Sequence, residues 1–239
     1  TAKAQNTEPT VEGLRTTPDR YFLAKRLVLA TKWMVESKQK HGKEIINRYR
    51  LAADLRQHWG KAHFELGKYF EILSTSIWEE GVAEGRDKSN NEQYLATVIT
   101  TIDAYCKTLQ FGTKLLMQTL PRLLTLWFAL TSLTSTDGAN EQPHRARSSN
   151  SRAVVSQRPG RSDESLLPRH QRKATEKIQA TIARVPAYIW YTSMSQIVSR
   201  IGHPDPDTVN GIHTLLVHTL TEYPRQSIWM IAGLIHSLN

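Results

Sequence analysis

The chain has a single cysteine among its 239 residues, Cys106. That excludes an internal disulfide and any CxxC metal or redox site. Its place on a helical run between Tyr105 and Lys107 reads as a small, half-buried core residue. Glycine and proline number 12 and 10, too few for a collagenous or uniformly low-complexity chain. No apolar run reaches the roughly 18–20 residues of a membrane span, because Lys114, Gln118 and Arg122 interrupt the best candidate. Apolar–polar alternation with period two is missing over any convincing length, so no sheet is expected. A basic segment followed by an apolar signal core is missing too. The first residue is Thr rather than Met and both ends run into ordinary sequence, so the chain reads as a piece of a longer protein, cytosolic or nuclear.

The signatures of catalysis are also absent. Gly42-Lys43, Gly60-Lys61 and Gly67-Lys68 lack the upstream glycine of a phosphate loop. Neither a DFG triplet, an HRD-type catalytic loop nor a G-x-S-x-G elbow occurs. Among nine histidines, His58 and His63 are five apart, as are His213 and His218; neither pair shares a helix face well, and no third ligand completes a set. The segment is therefore expected to hold no catalytic, cofactor or metal site.

What the chain does have is helical periodicity. From Asp19, a plausible start, Leu23, Leu27, Ala30 and Met34 recur at three- and four-residue spacing. Further helices are expected over about 43–57, 59–78 and 92–109, followed by a Leu-rich helix in which Pro121 either introduces a kink or restarts the helix at its first turn. After the insertion described below, Ile178 and Ile182 mark a short helix. Ile189, Trp190, Met194, Ile197, Val198 and Ile201 mark one more. Asp205-Pro206 is a helix start, an Asp N-cap with Pro at the first position, and Pro224 ends that helix. Helices of this length in sequential pairs predict an all-α solenoid of tetratricopeptide- or HEAT-like pairs. Leu66-Gly67 with Phe70 fits part of a tetratricopeptide packing core, the glycine admitting a neighbouring helix. The six tryptophans, Trp33, Trp59, Trp78, Trp127, Trp190 and Trp229, lie on apolar stripes and read as packing residues rather than base-stacking platforms, so no direct nucleic-acid partner is expected.

Residues 1–18 read as a linker or frayed end, and residues 19–134 and 173–239 as helical repeats. Between them, residues 135–172 are rich in Ser, Arg, Gly, Pro and Asn, a composition that cannot bury enough apolar surface and predicts a disordered insertion. Thr136 to Lys173 carries +4 of the net charge of +9, and the rest is spread along the chain, so the basic excess forms no continuous stripe. Arg145-Ala146-Arg147-Ser148, Ser156-Gln157 and Arg158-Pro159-Gly160-Arg161-Ser162 make Ser148, Ser156 and Ser162 candidate phosphorylation sites, where phosphate would meet several arginines.

Four segments carry a resemblance. Leu109-Gln110-Phe111-Gly112, with Pro121-Arg122-Leu123-Leu124-Thr125-Leu126-Trp127, resembles the "SLQYG … PR-(L/M)-LTLW" run in the FAT region of ATR-type checkpoint kinases, members of the phosphatidylinositol 3-kinase-related family. Trp59 to Tyr69 looks like that family's "WEK-(A/G)-H-(F/Y)-x-L-(A/G)-(K/R)-Y" helix, and Ser195 to Ile201 like its "SQ-(L/I)-(I/V)-SRI" helix. Tyr223-Pro224-Arg225-Gln226 through Trp229-Met230 looks like its "YPQQ-x-(M/L)-WM" segment, with Arg225 where Gln is usual. The Leu-Thr-Leu-Trp-Phe piece also resembles the TOR branch, which lacks the other elements. The resemblance implies a family-like packing motif of Gln110, Gly112, Pro121, Arg122, Leu126, Trp127 and Trp229. It also implies a helical scaffold that wraps a kinase domain in cis, inside a nuclear serine/threonine kinase of DNA-damage and replication-stress signalling. ATP and Mg would then belong to the parent kinase domain, and an ATR-interacting partner subunit and a dimeric assembly to the parent. The periodicity alone favours a free-standing helical-repeat adaptor that binds partner proteins through its concave face.

Overall fold

A computed structural model describes residues 17–38, 42–85, 87–134 and 166–237. These form ten α-helices and one short 3-10 turn, with no strand among the described residues. The helices are α1 (Thr17–Glu36), α2 (Lys43–Leu55), α3 (Gly60–Ala83), α4 (Glu92–Gln110), α5 (Leu116–Thr131), α6 (Leu166–Ile182), α7 (Ala187–Tyr191), α8 (Met194–Val198), α9 (Pro206–Glu222) and α10 (Pro224–Ser237). The expected all-α repeat fold is the one the chain builds. No described helix is long and apolar enough to cross a membrane.

Each long helix buries one stripe. On α4 the stripe is Leu95, Val98, Ile99, Ile102, Tyr105, Cys106 and Leu109, at three- and four-residue intervals. Neighbours in sequence pack together: α1 on α2, α2 on α3, α3 on α4 and α4 on α5. Helix α6 then lies against both α4 and α5, α9 against α6 and α7, and α10 against α9 and α8. Two apolar clusters result. The smaller joins α1, α2 and α3 through Val28, Ile45, Tyr49, Ala52, Leu66, Tyr69 and Phe70. The larger runs from Phe64 of α3 through α4, α5 and α6 to Ile212 and Leu216 of α9. Helix α3 therefore supplies two faces to two clusters. Buried threonines Thr101, Thr108, Thr119 and Thr219 fit this apolar surround because each hydroxyl donates to the carbonyl four residues earlier.

Helix ends follow local chemistry where a cap exists. The Asn91 side chain accepts from the Tyr94 amide at the start of α4, and Asp205 accepts from the Thr208 amide at the start of α9, with Pro206 at the first position. The sequence reading is corrected elsewhere. Helix α1 begins two residues before Asp19, which sits in its first turn. Pro121 is neither a restart nor a first-turn residue but lies inside α5, where its missing N–H leaves the Met117 carbonyl without that intrahelical partner. Residues 166–172, assigned to the insertion, are helical, and Leu167 and His170 are buried. The rest of the insertion, and residues 1–16, lie outside the described residues. The single helix read over Ile189–Ile201 is two short ones, α7 and α8, because α7 packs on α9 while α8 turns to meet α5 and α10.

Candidate functional site

Helix α5 carries the Pro-Arg-Leu-Leu-Thr-Leu-Trp-Phe run, and its neighbours close a seam around Trp127. The Trp127 ring is fully buried and stacks on Phe128 with centroids 4.8 Å apart. Its indole Nε1 donates to Thr175 Oγ1 of α6 at 3.0 Å, leaving no buried donor unpaired there. Against the same ring comes Gly211 of α9, where a Cβ would stand 3.1 Å from Trp127 Cη2 and Cζ2 and 3.8 Å from Thr175 Cγ2. One side chain thus sets the spacing of three helices on both sides of the insertion.

Arg122, one turn earlier, points the other way. Its guanidinium lies 3.6 Å from Glu71 Oε2 of α3, and the same oxygen accepts from the Tyr105 hydroxyl of α4 at 2.6 Å. Burial, then the Glu71 carboxylate, pushes the Tyr105 phenol far up from its ordinary value, so it stays a donor. Beneath it, Gly67 is buried with Tyr105 Cε1 only 2.7 Å from where a Cβ would be. The expected role of Gly67, admitting a neighbouring helix, is met by that ring.

The remaining motif residues divide. Leu126 is half-buried against the large cluster. Gln110 Nε2 reaches Thr181 Oγ1 of α6 at 3.5 Å, the outer limit of a hydrogen bond. The Pro121 carbonyl accepts from Gln196 Nε2 of α8 at 3.2 Å, and Gln196 also donates to Thr125 Oγ1 at 3.1 Å. Two of the segments that carry the resemblance therefore touch each other. Gly112 is exposed in the α4–α5 turn, with no atom within 4 Å of a Cβ placed there. Trp229 is corrected: it is 79% exposed on the outward side of α10 and packs on nothing in the core, and Trp33 is 61% exposed. Ser148, Ser156 and Ser162 lie outside the described residues.

Three contributors escaped the sequence reading. The Gln171 amide donates to the carbonyls of Leu130 at 3.1 Å and Leu133 at 2.9 Å, closing the C-terminal end of α5. His203, 7% exposed, accepts from the Asp205 amide at Nδ1, so Nε2 carries the proton and donates to Ser132 Oγ at 2.9 Å. Asp103 of α4 pairs with Lys107 and, across the helix gap, with Lys177 of α6. Burial would raise the Asp103 carboxyl, but hydrogen bonds from Lys177 and Lys107 outweigh it and hold the group below its ordinary value. No local signal marked these bonds between elements, because their partners lie between 38 and 74 residues away in sequence.

The reactive-looking groups are quiet. Cys106 is buried rather than half-buried, and burial pushes its thiol up to about 12. His58 and His63 flank the Phe111 ring, their centroids 5.2 and 5.3 Å away, and burial lowers His63 from its ordinary value. Among the described residues no three His, Cys, Asp or Glu side chains gather as a metal site. The arrangement of the seam is one of packing and hydrogen bonds, and its physical output is a fixed set of helix-to-helix distances.

Comparison with known proteins matches two stretches of the chain to families. Residues 16–125 match the FAT domain, and residues 173–239 match the HEAT repeats described as serine/threonine-protein kinase ATR-like. The serine/threonine-protein kinase ATR of Arabidopsis thaliana is 29% identical over 97% of this chain. Serine/threonine-protein kinase MEC1 of Candida albicans is 24% identical over 83% of it, and protein kinase rad3 of Schizosaccharomyces pombe 22% identical over 87%. The chain spans 7 to 8% of the length of these relatives.

Proposed function

Because this chain belongs to the FAT region of ATR-type kinases, we propose that it is a non-catalytic helical scaffold that wraps and regulates the kinase domain of its parent serine/threonine kinase. The parent would act in the nucleus in DNA-damage and replication-stress checkpoint signalling, with an ATR-interacting partner subunit and as a dimeric assembly. ATP and Mg are assigned to the parent kinase domain, and no residue of this chain is assigned to either.

The observation that supports this reading is the seam. Trp127–Thr175 and Trp127–Gly211 join the FAT-matched helices to the helices matched as ATR-like HEAT repeats, across the insertion. Gln196–Pro121 and Lys177–Asp103 do the same at two further points. Helices tied in this way move as a unit, so a strain at one end is delivered to the other rather than absorbed between them. A scaffold of that kind biases an attached enzyme by a coupling free energy, typically about 1–3 kcal/mol, or 5- to 150-fold in an equilibrium.

The test uses the full-length parent kinase with Trp127→Ala, which removes about 3–5 kcal/mol of packing, and with the milder Thr175→Val. Each soluble variant is assayed for ATP affinity and for turnover on a Ser-Gln peptide. Altered turnover with retained ATP affinity is expected in both. Unchanged turnover in the folded variants would defeat the scaffold reading.

A further inference from the structure

Away from the seam, a groove of about 610 Å³ opens where the α2–α3 turn faces the α4–α5 turn. Trp59, Phe111 and Leu115 give it an apolar floor, and the rings of His58 and His63 hold Phe111 in place. Around this floor stand Arg56, Lys61 and Lys114, and no acidic side chain lines the groove. Several cations elsewhere on the molecule meet a carboxylate, among them Lys32, Arg48, Lys107, Arg122 and Lys177. In the groove only Lys61 does, with Glu65 at 2.6 Å. Among the described residues Arg56 lies over the rings of Tyr21 and Trp59 at 4.7 and 5.0 Å, and neither it nor Lys114 has a carboxylate partner. The floor is kept low by Gly60, where a Cβ would come within 2.9 Å of the Thr108 carbonyl.

We propose that this groove docks an acidic peptide segment of a partner protein, with an aromatic or leucine side chain seated among Trp59, Phe111 and Leu115 and flanking carboxylates on Arg56 and Lys114. The apolar floor of Trp59, Phe111 and Leu115 has nothing to offer a lone phosphate, which favours an occupant that brings an apolar group as well as charge. In an extended peptide, side chains two residues apart stand about 7 Å from one another on the same side. Carboxylates flanking an apolar residue therefore reach separate cations while the apolar group is withdrawn from water. The apolar anchor provides affinity, and the charges provide orientation and rate of encounter. The surface is separate from the seam, so this proposal does not depend on the scaffold reading.

The experiment pans a phage-displayed library of random decapeptides on the intact 239-residue chain and titrates the selected peptides, fluorescein-labelled, by anisotropy. Enrichment of Asp or Glu two residues from Trp, Phe or Leu is expected, with binding that weakens as sodium chloride is raised. The double variant Arg56→Glu/Lys114→Glu should bind roughly tenfold more weakly or worse. Circular dichroism checks its fold, and Lys114→Glu alone, at an exposed position, serves as the second variant. Failure to enrich acidic peptides, binding indifferent to these reversals, or full displacement by tripolyphosphate at constant ionic strength would each overturn the proposal. So would binding only to a chain lacking residues 1–16, which would make the occupant this chain's own N-terminal segment.

Discussion

At Gly67 there is no room for a methyl group. The ring of Tyr105 already occupies the place, and that ring is itself fully buried and anchored through its hydroxyl to Glu71. Gly67→Ala should therefore destabilise the protein by about 1–3 kcal/mol despite the better helix propensity of alanine. Gly202→Ala, with nothing within 4 Å of the new carbon, should change the thermal midpoint little, and the pair of melting curves is the check. Gly211→Ala is the same experiment at the seam. Trp127 is held by Thr175 and Phe128 and has nowhere to retreat, so a loss of similar size is expected there. Thr175→Val keeps the volume but strands the indole N–H, which costs about 1–3 kcal/mol.

Helix α5 shows which parts of an element can be read from sequence. Its apolar stripe was legible, since Leu120, Leu123, Leu124, Trp127 and Phe128 recur at helical spacing and all are buried. Its C-terminal closure was not, because Gln171 and His203 reach it from helices and turns distant in sequence. Gln171→Leu should leave the carbonyls of Leu130 and Leu133 without that donor and lower stability by about 1–2 kcal/mol, seen as faster amide exchange confined to the end of α5. The same logic explains the other misreadings. The start of α6 looks polar because Arg169, Gln171, Arg172 and Lys173 dominate it, while Leu167 and His170 find their cover in the tertiary structure. The division between α7 and α8 is imposed by their separate partners, a demand that no local spacing reports. Asp205-Pro206, by contrast, is a start signal complete within four residues, and it formed as expected. Of the candidate motif, Trp127 and Arg122 were placed in contacts, whereas Gly112 and Trp229 face outward.

Across the whole molecule, the Lys177–Asp103–Lys107 group ties α4 to α6 by charge, while Trp127 ties α5 to α6 by packing and a hydrogen bond. Lys177 and Lys107 hold the Asp103 carboxyl low against the opposing effect of burial. A carboxyl depressed in the folded state contributes stability that is complete above its unfolded value, about 3.9, and lost as pH falls through the folded value. Wild type and Asp103→Asn should therefore differ in urea midpoint at neutral pH and converge only below about pH 4; a difference that persists in acid would remove the charge explanation. Gln171 has a second consequence on this scale. Its bond to the Leu133 carbonyl lies within the first turns of α6, and Leu133 and Leu166 both rest on the large apolar cluster. The last described residues before 135 and the first after 165 are thus fastened to the same cluster. Between two ends fixed in this way, doubling the length of a flexible connection would add only about 0.6 kcal/mol of closure entropy. A gene with a small autonomous domain spliced in between these ends should yield a protein that melts where its parent melts.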